Sequence, residues 1–464
     1  MKSDQTFSNL LKDIKNKIDE KNLRSGVISI CSEIPLLNSL NNYNYLLMKY
    51  SFAALWQEED DLSFIALDKC KYITLDGPNR FKIAKDFYNQ NLKNLINIDQ
   101  NSHPSSLSKI IYFFSFSDSF SRGENSIDVP NMEAILPKIL IINNHKKSWI
   151  RMNVQFNHKK SIREIIEEFC LFRTEILSTE LQEEKKNINI SISQFENAFN
   201  KSRKDLIKNI SKGIELTQDN ILKKIVLSSK IKIKLESKFY LNNILKKLKY
   251  SQDNSCIYVW KRNTDDITFG ASPEKLFSLK NDQLILEAIA GTSEKKINQD
   301  FLLNNSKNIK EHTFVVNFLI NSLKKLNIYK FQRSNLKVKN FGNIAHLQTI
   351  LKSSVTKLCP FKVLSILHPS PAVCGIPQDL ANEWIQTLET FSRGNYASPI
   401  GWIDIEGNAD FRVAIRGARY VNKEVHLTAG AGLVKDSLCL EEVDEIKLKF
   451  ESIAKQIFLT NIFQ

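Results

Sequence analysis

The chain has 464 residues, of which 42% are hydrophobic and 25% are charged, and this composition excludes an intrinsically disordered protein. The formal net charge is +14, but the lysines are scattered rather than gathered into a stripe, so we expect no nucleic-acid partner. The sequence lacks a C-x-x-C pair, a secretory signal and an apolar run of the ~18 residues that span a bilayer, which predicts a cytoplasmic protein without a membrane partner.

The first part of the chain carries few recognisable motifs. Residues 160–200 begin with helical spacing and end in a polar, charged run, which is typical of a boundary between structural units. We therefore predict an N-terminal region over residues 1–195 that packs onto a catalytic domain over residues 196–464.

The second part of the chain mixes strand and helix patterns without regular alternation. Strand patterns occur in residues 221–235, 256–260, 267–270, 411–421 and 424–432. Apolar residues recur at helical spacing in residues 306–325 and 441–458. This mixture favours an α+β fold with antiparallel sheets.

Lys224 and Glu274 stand at the ends of predicted strands. Lys224 opens the segment KIVLSSK, where it could also be one more solvated lysine of a lysine-rich protein. Glu274 follows Ser-Pro in FGASPEKLF, and the proline favours a turn from which the carboxyl group can project over the sheet.

Glu311 lies on the predicted helix over residues 306–325, and its helical neighbours Val315 and Phe318 are apolar. A carboxylate on an apolar strip is costly unless it is paired or holds a cation. Glu311 could instead reach water from the edge of the strip, and the pattern alone leaves both interpretations open.

Arg416 lies in the predicted strand over residues 411–421, between Ala414 and Ala418 on the same face. Small neighbours leave room around a guanidinium, which suits a cavity that binds a carboxylate through two hydrogen bonds. An exposed sheet face is the alternative.

Glu442, Glu445 and Lys449 form one strip of the predicted last helix because they are three and four residues apart. A solvated face with a Glu445–Lys449 ion pair explains this spacing. The strand before the helix ends in Gly430-Ala431-Gly432, where glycines let a ligand approach the backbone, and this favours a binding site instead.

The motifs together resemble the chorismate-utilising enzymes over roughly residues 200–458. The segments that carry the resemblance occur in the family's order: KIVLSS, FGASPE, EAIAGT, KEH, HPSPAVCGIP, RGNYASPIGW, DFRVAIRGA, TAGAGLV and E-x-x-E-x-x-x-K. The resemblance implies a large chorismate-binding fold in which antiparallel sheets pack as a sandwich with helices on the outside.

The resemblance also implies roles for individual residues. Lys224 matches the base that activates water, and Glu274 matches the acid that protonates the departing hydroxyl. Glu311 and Glu445 match ligands of Mg²⁺, the cofactor that the family uses. The predicted substrate-binding residues are Gly291, Thr292, His346, Arg416, Gly432, Glu442 and Lys449.

Within the family the chain is most similar to isochorismate synthases of the quinone-associated type, which make menaquinone or phylloquinone precursors. That implies chorismate as substrate, water as nucleophile and no obligatory protein partner. Lys224 stands where anthranilate synthases usually have glutamine, and Ala290 where aminodeoxychorismate synthases have lysine. A salicylate synthase, an anthranilate synthase component and a catalytically silent basic binding protein are the alternatives.

Overall fold

The computed structural model describes residues 11–17, 25–37, 44–58, 62–92, 95–99, 103–118, 129–144, 146–156, 161–178, 192–235, 239–294, 299–342 and 344–458. Residues 11–17 are helical. The α-helices that follow are α1 (Tyr45–Lys49), α2 (Arg80–Leu92), α3 (Ile162–Ser178), α4 (Ile192–Gln218), α5 (Leu241–Ser251), α6 (Gln299–Asn304), α7 (Ser306–Lys325), α8 (Pro360–Leu367), α9 (Gln378–Leu388) and α10 (Cys439–Phe458).

The strands are distributed over both halves of the chain. They are β1 (Gly26–Ile34), β2 (Ala53–Gln57), β3 (Ser63–Leu75), β4 (Leu95–Asp99), β5 (Lys109–Phe114), β6 (Met132–Asn143), β7 (Ser148–Phe156), β8 (Lys224–Lys234), β9 (Cys256–Asn263), β10 (Asp266–Ser272), β11 (Lys275–Lys280), β12 (Gln283–Glu294), β13 (Gln332–Arg333), β14 (Lys337–Phe341), β15 (Ile344–Ser354), β16 (Gly375–Ile376), β17 (Pro399–Asp404), β18 (Ala409–Val413), β19 (Gly417–Val421) and β20 (Glu424–Leu433).

The strands form one connected sheet that forks at β6, because β6 pairs with β3 along its length, with β5 at its start and with β7 at its end. The first arm has the order β4-β1-β7-β6-β3-β2-β9-β10-β19-β20-β8-β16, and the second has the order β5-β17-β18-β11-β12-β15, with β13 and β14 on the outer edge of β15. Among the described pairings, only β1 with β4 is parallel. The predicted antiparallel α+β fold is therefore confirmed.

The two arms face each other across a layer of aromatic side chains. Phe113 of β5 in the second arm packs edge-on against Trp260 of β9 in the first, with ring centroids 5.6 Å apart. Trp402 of β17 belongs to the same buried cluster. Helices α4 and α10 cover the outer face of β8 and β20, and α7 covers β12. This arrangement is the predicted sandwich with helices outside.

Sheet pairing connects the two sides of the predicted boundary at residue 195. Strand β2 pairs with β9, β5 pairs with β17, and α4 runs through residue 195 without a break. The division into an N-terminal region and a catalytic domain stays a prediction. No helix in the described part of the chain is long and apolar enough to span a bilayer.

The predicted elements near the site are confirmed with one exception. The strand predicted over residues 411–421 is wrong, because it is two strands, β18 and β19, separated by a bend at Arg416 with φ of 52°. The prediction that Ala414, Arg416 and Ala418 share one face of a strand is therefore wrong, because the bend interrupts the alternation of side chains. Arg416 points out of the sheet because its backbone leaves the extended conformation.

Two helices bring acidic side chains to the site, and both have clear start signals. The side chain of Asn305 caps α7 by accepting a hydrogen bond of 3.0 Å from the backbone of Asn308. Helix α10 carries Glu441 and Glu442 in its first turn, where the helix dipole favours negative charge. The apolar stripe of α10, including Val443, Ile446 and Phe450, is buried.

Candidate active site

A cavity lies between the far ends of the two arms of the sheet, beneath α7 and α10. Its floor comes from β8 and β20 of the first arm, and one wall comes from β12 and β15 of the second. The polar and charged side chains that line it are Glu274, Glu311, His346, Tyr396, Arg416, Thr428, Glu445 and Lys449. Most of the residues predicted from the sequence are therefore brought to one place.

Glu311 lines the cavity, and Lys224 contacts it without being one of the lining residues. Lys224 is fully buried at the start of β8, and its Nζ donates a hydrogen bond of 2.8 Å to Oε1 of Glu311 on α7. Burial tends to raise the pKa of Glu311, but the ammonium groups of Lys224, Lys449 and Lys307 outweigh it and hold that pKa below its ordinary value. Glu311 is therefore a carboxylate facing the cavity.

Gly432 makes this contact possible. A Cβ atom on Gly432 would lie 2.7 Å from Oε1 of Glu311 and 2.8 Å from Cε of Lys224. Both distances are shorter than real Cβ contacts allow. The glycine predicted to bind substrate thus leaves the space in which the lysine and the glutamate meet.

Glu274 lies in the turn between β10 and β11 and lines the cavity, as its Ser-Pro context predicts. Burial raises the pKa of its carboxyl group to about 7, although the charges of Lys224, Lys449 and Arg416 act to lower it. Of these three charges, that of Lys224 lowers the pKa of Glu274 most. A carboxyl group with such a pKa can hold a proton at neutral pH and donate it.

Arg416, His346 and Gly291 form a connected group on the opposite wall. The Nδ1 of His346 lies 3.0 Å from the carbonyl oxygen of Gly291, and its Nε2 lies 3.4 Å from Nη2 of Arg416. Burial and the neighbouring Arg416 lower the pKa of His346 to about 3, so its ring is neutral, with Nδ1–H donating to Gly291. Burial also lowers the pKa of Arg416 to about 10, which still leaves a cation facing the cavity.

Gly291 lies in a bulge of β12 with φ of +74°. The register with β15 shifts at this residue, between Ala290, which is opposite Leu347, and Thr292, which is opposite His346. A Cβ there would lie 3.0 Å from the side chain of Asn308. Thr292 follows in the same strand, and its side chain lies outside the described part of the structure. Its predicted substrate contact therefore stays a prediction.

Lys449 and Glu445 form the predicted ion pair of α10, with Nζ and Oε1 2.7 Å apart, and both line the cavity. Lys449 also donates to the carbonyl oxygen of Gly430 at 2.8 Å, which fixes its ammonium over β20. The strip therefore contains the predicted Glu445–Lys449 ion pair and also forms part of the cavity wall.

Glu442 is placed differently from its prediction. It does not belong to the cavity lining, and its buried carboxylate instead forms an ion pair of 2.5 Å with Lys307 of α7. Burial and the charge of Glu445 raise its pKa. The structure thus gives Glu442 a supporting position behind Glu445 rather than direct access to a ligand.

The carboxylates of Glu311 and Glu445 are the groups that could hold a cation here. The described residues contain no cluster of three or more His, Cys, Asp or Glu side chains suited to a metal. Two partly exposed carboxylates on one cavity nevertheless fit Mg²⁺, which is commonly held by one or two carboxylates while waters and ligand oxygens complete its shell.

Several residues important to the cavity were missed at the sequence level. Tyr396 lines the cavity from the segment RGNYAS, and its hydroxyl lies near Gly430. Glu389 and Arg393 form a buried ion pair that bonds to the backbone of β8. Tyr396 stood in a recognised motif and could have been singled out, whereas no spacing linked Glu389 or Arg393 to β8.

The chain was compared with known families and proteins. Residues 10–458 match the family described as chorismate binding enzyme. The chain is 24% identical over 463 residues to isochorismate synthase MenF of Bacillus subtilis, covering 96% of each protein. It is 31% identical over 241 residues to the vibriobactin-specific isochorismate synthase of Vibrio cholerae, covering 50% of this chain and 61% of that protein.

A solved structure shares the fold. The menaquinone-specific isochorismate synthase MenF of Escherichia coli superposes with a TM-score of 0.75 at 18% sequence identity. The superposition covers 96% of this chain and 100% of that one. At this identity the likeness establishes the common architecture.

Proposed function

The chain belongs to the chorismate-binding enzyme family, and on that premise we propose that it is an isochorismate synthase. The observation that carries the proposal is that Glu274 and Glu311 line one cavity and that Lys224 is hydrogen-bonded to Glu311. The similarity to isochorismate synthase MenF of Bacillus subtilis over nearly the whole chain supports the same activity.

The reaction needs a base and an acid at two positions of the chorismate ring. Water adds at C2 and gives up a proton, while the hydroxyl group at C4 leaves as water after taking a proton. Lys224 is the base that we assign to the attacking water, and it can take up that proton only after its ammonium, which is paired with Glu311, has given one up. Glu274 is the acid that we assign to the leaving hydroxyl, since its raised pKa of about 7 keeps part of it protonated at neutral pH.

The substrate carries two carboxylates, and the cavity offers cations for them. Arg416 presents its guanidinium beside the neutral His346, and Lys449 presents its ammonium above Gly430. We assign these groups to carboxylate binding because a charge-assisted hydrogen bond is about twice as strong as a neutral one. Fixed cations also hold the ring between base and acid.

We further propose that Glu311 and Glu445 hold Mg²⁺. When bound, this cation would offset the charge of the ring carboxylate. Glu442 and Lys307 support that site, because their ion pair packs behind Glu445 and links α7 to α10.

The proposal extends to a cytoplasmic enzyme at the entry to quinone synthesis, menaquinone in particular. The resemblance of the motifs to the quinone-associated branch supports this placement. No nucleic acid and no obligatory protein partner enter the proposal.

A product assay tests the proposed function. Purified protein is incubated with chorismate and Mg²⁺, and the products are separated by chromatography. Isochorismate is the expected product. Salicylate with pyruvate would show a salicylate synthase, anthranilate formed with ammonia would show an anthranilate synthase, and the absence of any turnover would refute the assignment as an enzyme.

A further inference from the structure

Strand β8 is paired along one edge and nearly bare along the other. Residues 225–234 pair with β20, whereas the opposite edge meets only β16, in the pairs Gly375 with Ile225 and Ile376 with Lys224. Lys224 lies one residue beyond the pairing with β20, so among the described strands only the two-residue β16 pairs with it. The backbone groups that follow on this edge therefore need other partners.

A buried ion pair between Glu389 and Arg393 supplies most of those partners. Glu389 directly follows α9, and its Oε1 accepts from the backbone N–H and from the hydroxyl of Ser228, both at 2.8 Å. Nη2 of Arg393 donates to the carbonyl oxygen of Val226 at 2.7 Å, while the N–H of Val226 donates to the carbonyl oxygen of Cys374. The ion pair thus occupies the edge of β8 where a longer β16 would have continued.

The guanidinium of Arg393 is fixed by four hydrogen bonds. Nε and Nη2 donate to the two carboxylate oxygens of Glu389 at 2.8 and 2.6 Å, and Nη1 donates to the carbonyl oxygen of Val373 at 2.7 Å, beside the bond to Val226. Burial tends to lower the pKa of Arg393, but Glu389 outweighs it and holds that pKa above its ordinary value. The planar fork of arginine permits this set of bonds, and an ammonium group does not reproduce it.

The ion pair also closes a ring of contacts around Lys224. The chain runs from β16, which pairs with Lys224, through α9 to Glu389, and the ion pair then returns to β8 at Val226. A Cβ atom on Gly375 would lie 2.3 Å from the carbonyl oxygen of Lys224 and 2.6 Å from Cβ of Ala381 in α9. Strand and helix are therefore in close contact at Lys224, so a shift of the ion pair would move them together.

We propose that Glu389 and Arg393 are positioning residues for the reaction, which hold the start of β8 so that the amine of Lys224 keeps its place beside Glu311. The inference rests on the proposed function, because that function assigns the base to Lys224. Neither residue of the ion pair lines the cavity, so both act through the backbone of β8 rather than on the substrate.

Arg393→Lys keeps the charge but cannot make all four hydrogen bonds. We expect it to lower kcat for chorismate by about 10- to 10²-fold, because a displacement of about 1 Å in a reacting group has an effect of that size. KM should stay within about threefold of wild type, since Arg416 and Lys449, which we assign to carboxylate binding, are unchanged.

Arg151→Lys is the matched control. Arg151 is also fully buried, makes four hydrogen bonds, pairs with an aspartate and lies outside the cavity lining. Its replacement should destabilise the protein in the same way, yet kcat should stay within about twofold of wild type. An equal loss of kcat in the Arg393 and Arg151 variants, both folded by circular dichroism, would overturn the inference.

Ser228→Ala keeps the test available if Arg393→Lys does not fold. It removes the hydroxyl that donates to Glu389 and should lower kcat by about threefold, the effect of one lost hydrogen bond. Ser29→Ala removes the hydroxyl that accepts from Arg151 and should leave kcat unchanged. Equal kcat values for the two serine variants would also count against the inference.

Hydrogen–deuterium exchange measures the hold on β8 without turnover. The backbone amides of residues 224–229 should exchange faster in Arg393→Lys than in Arg151→Lys, because only the first variant loses bonds to this strand. If chorismate is not converted but this difference is present, the proposed function fails and the hold of the ion pair on β8 stands. If exchange is equal in both variants, the inference fails.

Discussion

Lys224 and Glu311 are 87 residues apart in the sequence, yet their side chains form a hydrogen bond of 2.8 Å beside Gly432. The contact joins the first residue of β8 to the second turn of α7, so it fixes the helix against the sheet at the cavity. The proposed chemistry depends on this placement.

Replacing Lys224 should abolish the chemical step. We expect Lys224→Gln to lower kcat by about 10²- to 10⁴-fold, because a positioned general base contributes that much. Steady-state turnover of chorismate measures the effect, and circular dichroism checks the fold. Lys223→Gln is the matched control, since Lys223 is the exposed neighbour, and it should keep wild-type turnover. A Lys224 variant with near-normal turnover would remove the residue from the mechanism.

Glu274 should give the pH profile its alkaline limb. The carboxyl must be protonated to act as acid, and its pKa is raised to about 7, so kcat/KM should fall as the pH rises through about 7. Glu274→Gln should lower kcat by about 10²-fold or more. A wild-type kcat/KM that stays constant from pH 6 to pH 9, buffers permitting, would contradict the assignment of Glu274 as acid.

The same raised pKa predicts that Glu274 reduces stability. Above pH 7 the folded protein holds an unfavourable carboxylate, whereas near pH 4 the group is protonated in the folded and unfolded states alike. We therefore expect Glu274→Gln to raise the free energy of unfolding at pH 8 by on the order of 2 kcal/mol, and this gain to disappear as the pH falls toward 4. Urea denaturation at the two pH values measures it. A variant that is less stable than wild type at pH 8 would speak against the buried environment of the carboxyl.

Glu445 should control the response to Mg²⁺. We expect Glu445→Gln to raise the Mg²⁺ concentration for half-maximal activity by about tenfold, because one of the two carboxylate ligands becomes neutral. Titration of Mg²⁺ into protein treated with EDTA gives the value. Glu441→Gln changes an exposed glutamate of the same helix turn outside the cavity lining and should leave the titration unchanged. Full activity of the wild type in EDTA would refute the metal site itself.

Gly432→Ala should damage activity more than folding. The added methyl group would collide with Oε1 of Glu311 and Cε of Lys224, which are ends of flexible side chains and can move away. We expect turnover to fall by about 10²-fold with little change in the melting temperature, since the base and the carboxylate lose their mutual orientation. Ala431→Gly, at the next position with its side chain on the other sheet face, is the control. An active Gly432→Ala protein would show that the Lys224–Glu311 contact is dispensable.

The strands and helices that carry the site could be predicted from the sequence because they have regular patterns, whereas the roles of the site residues were predicted from the family resemblance. The cap of α7 and the apolar stripes of α7 and α10 indicate where these helices lie, and with them the positions of Glu311, Glu445 and Lys449. The strand patterns likewise place Lys224 at the start of β8. These positions depend on interactions between residues close in the sequence, so they can be predicted from one sequence alone.

The parts that could not be predicted depend on contacts distant in the sequence. Arg416 occupies a left-handed bend that its alternating neighbours conceal. The break results from distant pairing, because β18 pairs with β11 and β17 whereas β19 pairs with β10 and β20. Glu442 has Lys307 as its partner, 135 residues away, and no spacing predicts that pair. The fork of the sheet at β6 likewise results from pairings between strands far apart in the chain.

That fork has a consequence for the motif-rich half of the protein. If residues 196–464 were expressed alone, β9 would lose β2 and β17 would lose β5, and both would present bare backbone donors and acceptors to solvent. Such open edges recruit strands from other molecules, so the fragment would aggregate instead of folding. The first half of the chain, which carries no recognisable chemistry, is thus the template on which the chemistry-bearing half completes its hydrogen bonding.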